Sequence, residues 1–130
     1  MSAEASRWLV YAVENRQVAA LSRESGLYNP SLQNAQQAVE KALKAIGLLR
    51  GVPLKKTHSI GELRRGLLDI GLDPGLTEDE ADLLDSIYLP SKYPLGSVLP
   101  AFEPDAQISQ HCLAIADRVL AAAASMILAQ

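Results

Sequence analysis

Gln36-Gln37-Ala38-Val39-Glu40-Lys41-Ala42-Leu43-Lys44-Ala45 is the stretch whose reading decides the fold. Its apolar residues belong to the series Ala35, Ala38, Ala42, Ile46 and Leu49, spaced at the period of a helix with one buried side. Gln37, Lys41 and Lys44 then project together from another side, so one helix offers a core face and a cationic, amide-bearing face. Two short polar signatures follow downstream, Thr57-His58-Ser59 and Lys92-Tyr93-Pro94. They can join that polar face only if the chain folds back on itself, as a helical bundle does.

Working outward, the same reasoning predicts helices along most of the chain. Trp8, Leu9, Ala12, Val18, Ala19 and Leu21 place a first helix over about Ala3 to Glu24, with Gly26 as its left-handed stop. Asn29 before Pro30 reads as an N-cap, and the helix it opens ends near Arg50 with Gly51 as terminator. Ser59 and Glu62 form a capping box for a short helix through Leu63, Leu67 and Leu68, stopped by Gly71. Thr77 and Glu80 repeat the device for a fourth helix carrying Ala81, Leu84, Ile87 and Tyr88, which Pro90 should end. Pro94, Gly96 and Pro100 mark a loop, and a last helix is expected from about Pro104 to Ala129. No period-two alternation supports a sheet. The expectation is an all-α, up-and-down bundle of four longer helices and one short helix, forming a single domain over residues 1–130.

Composition agrees. A chain of 130 residues with 48% apolar content can bury a core without metal or disulfide. Its single cysteine, Cys112, has no internal partner and falls on an apolar helix face, so it reads as a buried small hydrophobe. Glu4, Arg7, Glu14, Asn15 and Arg16 interrupt the first residues, which excludes a signal-peptide core or membrane span there and points to a cytoplasmic protein.

The net charge of −3 is distributed unevenly: residues 41 to 65 carry seven bases (Lys41, Lys44, Arg50, Lys55, Lys56, Arg64, Arg65) against Glu62, whereas residues 69 to 85 carry seven acids and no base. Two readings fit this pattern, a phosphate-attracting region and a pair of solvated blocks that attract one another. The final helix is apolar nearly all round. Ile108, Cys112, Ile115, Val119, Ala122 and Met126 make one stripe, and Leu113, Ala116, Leu120 and Ile127 widen it. Such a helix needs cover on more than one side, and a symmetric partner is expected to supply it through an isologous homodimer contact, against the alternative of a fraying C-terminus.

The order of these features, Trp8-Leu9, then the Gln36 to Ala45 segment, then Thr57-His58-Ser59-Ile60, then Lys92-Tyr93-Pro94, resembles the HEPN domain family (higher eukaryotes and prokaryotes nucleotide-binding) across essentially the whole chain. The resemblance implies a five-helix bundle, frequent homodimers, and a bacterial or archaeal gene beside a minimal nucleotidyltransferase. In such pairs the HEPN partner is thought to bind substrate or nucleotide, or to act as half of a toxin and antitoxin module. One branch of the family consists of metal-independent ribonucleases with an Arg, a gap of four to six residues and a His after the fourth helix. Here Lys92 stands in the arginine's place and Ser97, Val98 and Leu99 stand where the histidine should come, so that motif is absent and no catalytic residue is assigned.

The candidate ligand-binding residues are therefore Gln37, Lys41, Lys44, His58, Lys92 and Tyr93. Lys41 and Lys44 could hold a phosphate with Gln37 donating to a base or sugar, or Glu40 and Lys44, four apart, could simply stabilise an exposed helix. His58 could reach a ligand beside the positive end of the helix that Ser59 caps, or close that helix end. Tyr93 could stack on a base or anchor its loop, and Lys92 is expected to be exposed. His58, His111 and Cys112 lack the spacing of a zinc site, no glycine-rich phosphate loop exists, and no cofactor is implied. The expected function is that of a nucleotide- or nucleic-acid-associated accessory subunit beside a separate nucleotidyltransferase. The alternatives are a ribonuclease toxin with a diverged site and a dimerisation module without ligand.

Overall fold

The computed structural model describes residues 3–54, 56–92 and 103–129, with the backbone alone for residues 89–92. Five α-helices account for the fold: α1 (Ala3–Glu24), α2 (Tyr28–Leu49), α3 (Ile60–Asp69), α4 (Glu78–Lys92) and α5 (Ala106–Leu128). No strand occurs among the described residues. The expected architecture of four longer helices and one short helix is the one observed.

Helix α2 is the central element because its apolar residues run more than halfway round it. Leu32, Ala35, Ala38, Val39, Ala42, Leu43, Ala45 and Ile46 are all buried, and α1, α3, α4 and α5 each pack on α2. The turn at Gly26, with φ +74°, folds α1 back antiparallel to α2. Ser31 Oγ donates to the Ala19 carbonyl at 2.8 Å, which ties the two helices near that turn. The same hydroxyl lies 2.7 Å from Ser109 Oγ on α5, so both buried hydroxyls are satisfied at the three-helix junction. Small residues let α1 lie close: it buries Ala5, Ala12 and Ala19.

Helix α5 is long and apolar enough to cross a membrane, with mean hydropathy 1.5 over 18 residues. In the fold that character serves the core. Both apolar stripes of α5 are covered within the chain, Cys112, Ile115 and Val119 from one and Leu113, Ala116, Leu120 and Ile127 from the other. The reason is that α5 contacts α1 and α2 at once and fills the groove between them. The breadth of its apolar surface is thus accounted for within the chain, which removes the reason for expecting the dimer contact on α5. Leu128 at its end is the large apolar side chain of α5 left exposed.

Several predicted boundaries shift. Helix α2 begins at Tyr28, with Leu27 in the N-cap position and no side-chain cap, so Asn29 and Pro30 lie inside its first turn. Proline is tolerated there because first-turn N–H groups have no helical acceptor anyway. Helix α4 continues through Pro90 to Lys92, since a proline so near the end removes little of the helical ladder. Helix α5 starts at Ala106 because Asp105, just beyond Pro104, accepts from Ile108 N at 2.8 Å and caps it. Thr77 and Glu80 do form the reciprocal capping box, at 2.9 and 3.1 Å. Glu80 also receives Arg118 of α5 at 2.7 and 3.0 Å, and those guanidinium bonds hold its carboxyl below the usual carboxylate range.

Cys112 is completely buried, and desolvation pushes its thiol up to about 12. Since the thiolate is the reactive species, native protein at pH 8 should be alkylated on the order of 10³-fold more slowly than the unfolded chain. A thiol-reagent time course with and without guanidinium checks this, and equal rates would show that Cys112 is accessible in the native state.

Candidate functional site

Polar side chains converge where α2, the start of α3 and α4 meet. Glu40, on α2, is only 3% exposed. Its Oε2 receives Lys44 Nζ at 3.0 Å from one turn along the helix, and both of its oxygens lie 3.2 Å from His58 Nδ1. An ionised carboxylate can only accept, so Nδ1 carries the proton, and in the neutral ring Nε2 is left as an acceptor facing away from α2. The ring is held a second time by stacking on Tyr88 of α4, with centroids 4.9 Å apart and planes 18° from parallel. Lys44 Nζ also sits 5.8 Å from the centre of the Trp8 ring on α1, a cation–π arrangement. The Lys44 side chain is 9% exposed. The Glu40 and Lys44 pair, expected on an exposed helix face if structural, is therefore buried, because α1 and the 56–59 segment close over that face.

Asp85 of α4 completes the cluster. Its Oδ1 accepts from Ile60 N at 2.6 Å, and its Oδ2 accepts from Gly61 N at 3.1 Å and Ser59 Oγ at 3.2 Å. A Cβ on residue 61 would lie 3.3 Å from Asp85 Oδ2, so a larger residue there would press the carboxylate a few tenths of an ångström away. Ser59 Oγ accepts from Glu62 N at 3.1 Å, as a cap should. The reciprocal bond expected from Glu62 is replaced, since Ser59 N donates to Thr57 Oγ1. The positive end of α3 is thus already occupied by a carboxylate of the same chain, which corrects the expectation that it would be open to a phosphate.

His58, Ser59, Asp85 and Tyr88 line an open cavity of about 270 Å³. A separate apolar cavity of about 100 Å³ lies between α2, the 52–54 segment and α3, walled by Leu43, Val52, Leu63 and Leu67. No group of three metal-ligating side chains occurs among the described residues.

Of the residues singled out in the sequence, Lys44 and His58 meet on Glu40. Gln37 does not bond to them; it donates to Gln36 Oε1 at 2.8 Å. Lys41 turns the other way, to Asn15 Oδ1 of α1 at 2.7 Å, and Asn15 in turn donates to Asn34 at 2.9 Å. Lys92 is the last residue of α4, and Tyr93 and Lys55 lie outside the described residues.

Four contributors were not anticipated as site residues: Gln36, Glu40, Asp85 and Tyr88. Gln36 and Glu40 did carry a signal, because they share a face with buried Leu43 and Gly47 at helical spacing, and polar residues at core positions invite a question. Gln36 is 1% exposed and its Nε2 has no hydrogen-bond partner among the described residues. Asp85 and Tyr88 carried none, being brought to His58 only by the packing of α4 on α3.

The profile of the HEPN domain family matches residues 5–126. The chain belongs to the HEPN domain family. Its bundle is similar to two solved structures. TT1696 from Thermus thermophilus is 32% identical, with a TM-score of 0.78 over 96% of this chain and 99% of that one. ST0689, an archaeal HEPN homologue, is 26% identical, with a TM-score of 0.72 over 95% and 97%. No functionally curated protein matches. The matches span the bundle from α1 into α5, so the Glu40, His58 and Asp85 cluster is set within a HEPN scaffold and not on an appended segment.

Proposed function

We propose that this HEPN protein is a nucleotide- or nucleic-acid-associated accessory subunit that takes the planar part of its ligand in the cavity between α3 and α4. One observation carries the reading: an exposed imidazole, pinned at Nδ1 by buried Glu40 and stacked on Tyr88, lines a cavity with its Nε2 unpaired among the described residues. A fixed acceptor beside an aromatic stack suits a nucleobase, which offers both a π-face and N–H donors. Lys44 and the α3 N-terminus already have anionic partners within the chain, so the cavity reads the base or sugar while the ligand's phosphate meets solvent-exposed cations such as Lys56. The subunit works as a cytoplasmic homodimer beside a separate minimal nucleotidyltransferase, in a two-gene or toxin and antitoxin module, as the family resemblance suggests.

Calorimetric titration with ATP and with a short single-stranded RNA tests this. His58→Ala and Tyr88→Ala are each expected to weaken binding about tenfold or more, as loss of a stacking partner worth about 1–3 kcal/mol requires. Lys41→Ala, tied to α1, should change it little. Unaltered affinity in both the His58 and Tyr88 variants would remove the cavity from ligand binding. A second reading has one observation in its favour: a carboxylate-oriented histidine with a free Nε2 is also the geometry of a general base. RNA cleavage by the pure protein, lost in His58→Ala, would select a diverged ribonuclease instead.

A further inference from the structure

Helix α1 is two-sided in an unusual way. The side turned to the bundle buries alanines, Ala5, Ala12 and Ala19, while larger apolar side chains point outward. Val10 is 55% exposed, Val13 48%, Val18 45% and Leu21 58%. At 100° per residue these four fall within about 140° of one another, on the side opposite the three alanines. Arg7, Glu14, Gln17 and Glu24 share that outward side and are exposed. Among the described residues Arg7 and Glu24 have no ionic partner, although the ion pairs Arg16–Asp117 and Arg118–Glu80 form elsewhere on the surface.

We infer that this face pairs with the same face of a second copy, α1 antiparallel to α1 about a two-fold axis between residues 15 and 16. The inference rests on the homodimer proposed above and supplies its interface. In an antiparallel pair centred there, each residue is level with the one whose number completes a sum of 31. Val10 is then level with Leu21 of the other copy, Val13 with Val18, Glu14 with Gln17, and Arg7 with Glu24. One register therefore matches apolar with apolar residues, an acid with an amide, and the unpaired base with an unpaired acid. An isologous contact requires this self-complementarity, because each pairing occurs twice across the axis. Slipping the register by one residue, which moves the centre by half a residue, sets Val10 against Ser22 or Ala20 and loses the matches. The occupant is a second copy because the charges fit α1 itself.

Cysteine crosslinking tests the register. Val10 and Leu21 are eleven residues apart, about 16 Å along one helix, so cysteines at these positions cannot bridge within a chain. The double variant Val10→Cys/Leu21→Cys is expected to give mostly covalent dimer under mild oxidation, whereas either single variant gives little, with buried Cys112 as a common background. Sedimentation supplies the second measurement. Arg7→Glu and Glu24→Arg should each raise the dimer Kd several-fold, and combining them should restore it. All these positions are exposed, so folding is retained and helicity by circular dichroism checks that. A dimer in sedimentation with no crosslink in the double variant, or equal crosslinking in the single variants, would overturn the interface while leaving the homodimer standing. A monomer at tens of micromolar would overturn both.

Discussion

Replacing Lys44 with methionine is expected to lower the unfolding free energy by about 3–5 kcal/mol, the range for a buried ion pair that loses one partner. The sequence alone argues for a far smaller effect, since an exposed Glu and Lys four apart contribute only about 0.3–0.5 kcal/mol. The difference lies in where the pair sits. Glu40 is 3% exposed and Lys44 9%, under Trp8 and beside His58. Methionine keeps the aliphatic stem, so the loss reports the charge left on Glu40 and not a cavity. His58 remains within reach and compensates in part. The double variant Glu40→Gln/Lys44→Met should recover most of the stability, because it leaves no buried charge behind. Urea unfolding of the three variants checks both statements. A loss under about 1 kcal/mol for Lys44→Met would show that the pair behaves as a solvated surface pair.

Asp85→Ala is expected to cost about 2–3 kcal/mol, more than loss of an ordinary N-cap, because one carboxylate serves two backbone N–H groups and a hydroxyl. It also joins α4 to the start of α3, so its removal should loosen that junction before the α1, α2 and α5 core. Hydrogen exchange reads this as earlier loss of protection at Ile60 and Gly61 than at Ala38 or Val39. Asp85→Asn, which retains one acceptor oxygen, should restore about half of the stability. If Asp85→Ala unfolds at the same urea concentration as the unaltered protein, solvent replaces the carboxylate at no cost and Ser59 alone caps α3.

The helices were legible because their signals are local. Alanine and leucine at helical spacing, Ser59 and Thr77 as caps, and Gly26, Gly51 and Gly71 as stops act over three or four residues, and the three glycines do adopt φ between +72° and +80°. The boundaries that moved, at Leu27, Pro90 and Asp105, each lie beside a proline that marks an edge less sharply than its type suggests: Pro30 sits in a first turn whose N–H groups have no acceptor, Pro90 gives up a single ladder bond near the end of α4, and Pro104 lies outside α5, which Asp105 caps. The candidate site was legible in part. Lys44 and His58 stood out by residue type, but Lys41, three residues from Lys44, turns to Asn15 instead, because neighbouring helix positions diverge onto different partners.

By itself the sequence determined an all-α fold of five helices, the helix carrying Glu40 and Lys44, and membership of the HEPN domain family. All of these depend on the order and period of residues along the chain. Only the tertiary structure decided that the Glu40 and Lys44 pair is buried, that Asp85 fills the α3 N-terminus, that Tyr88 backs His58, and that a row of exposed apolar side chains runs along α1 while α5 leaves out Leu128 at its end. Burial and long-range pairing depend on which face of each helix the others cover. Periodicity identifies the faces of a helix but not the neighbour each one meets: α5 found cover on two sides, whereas α1 laid its alanines against the bundle and left its valines outside.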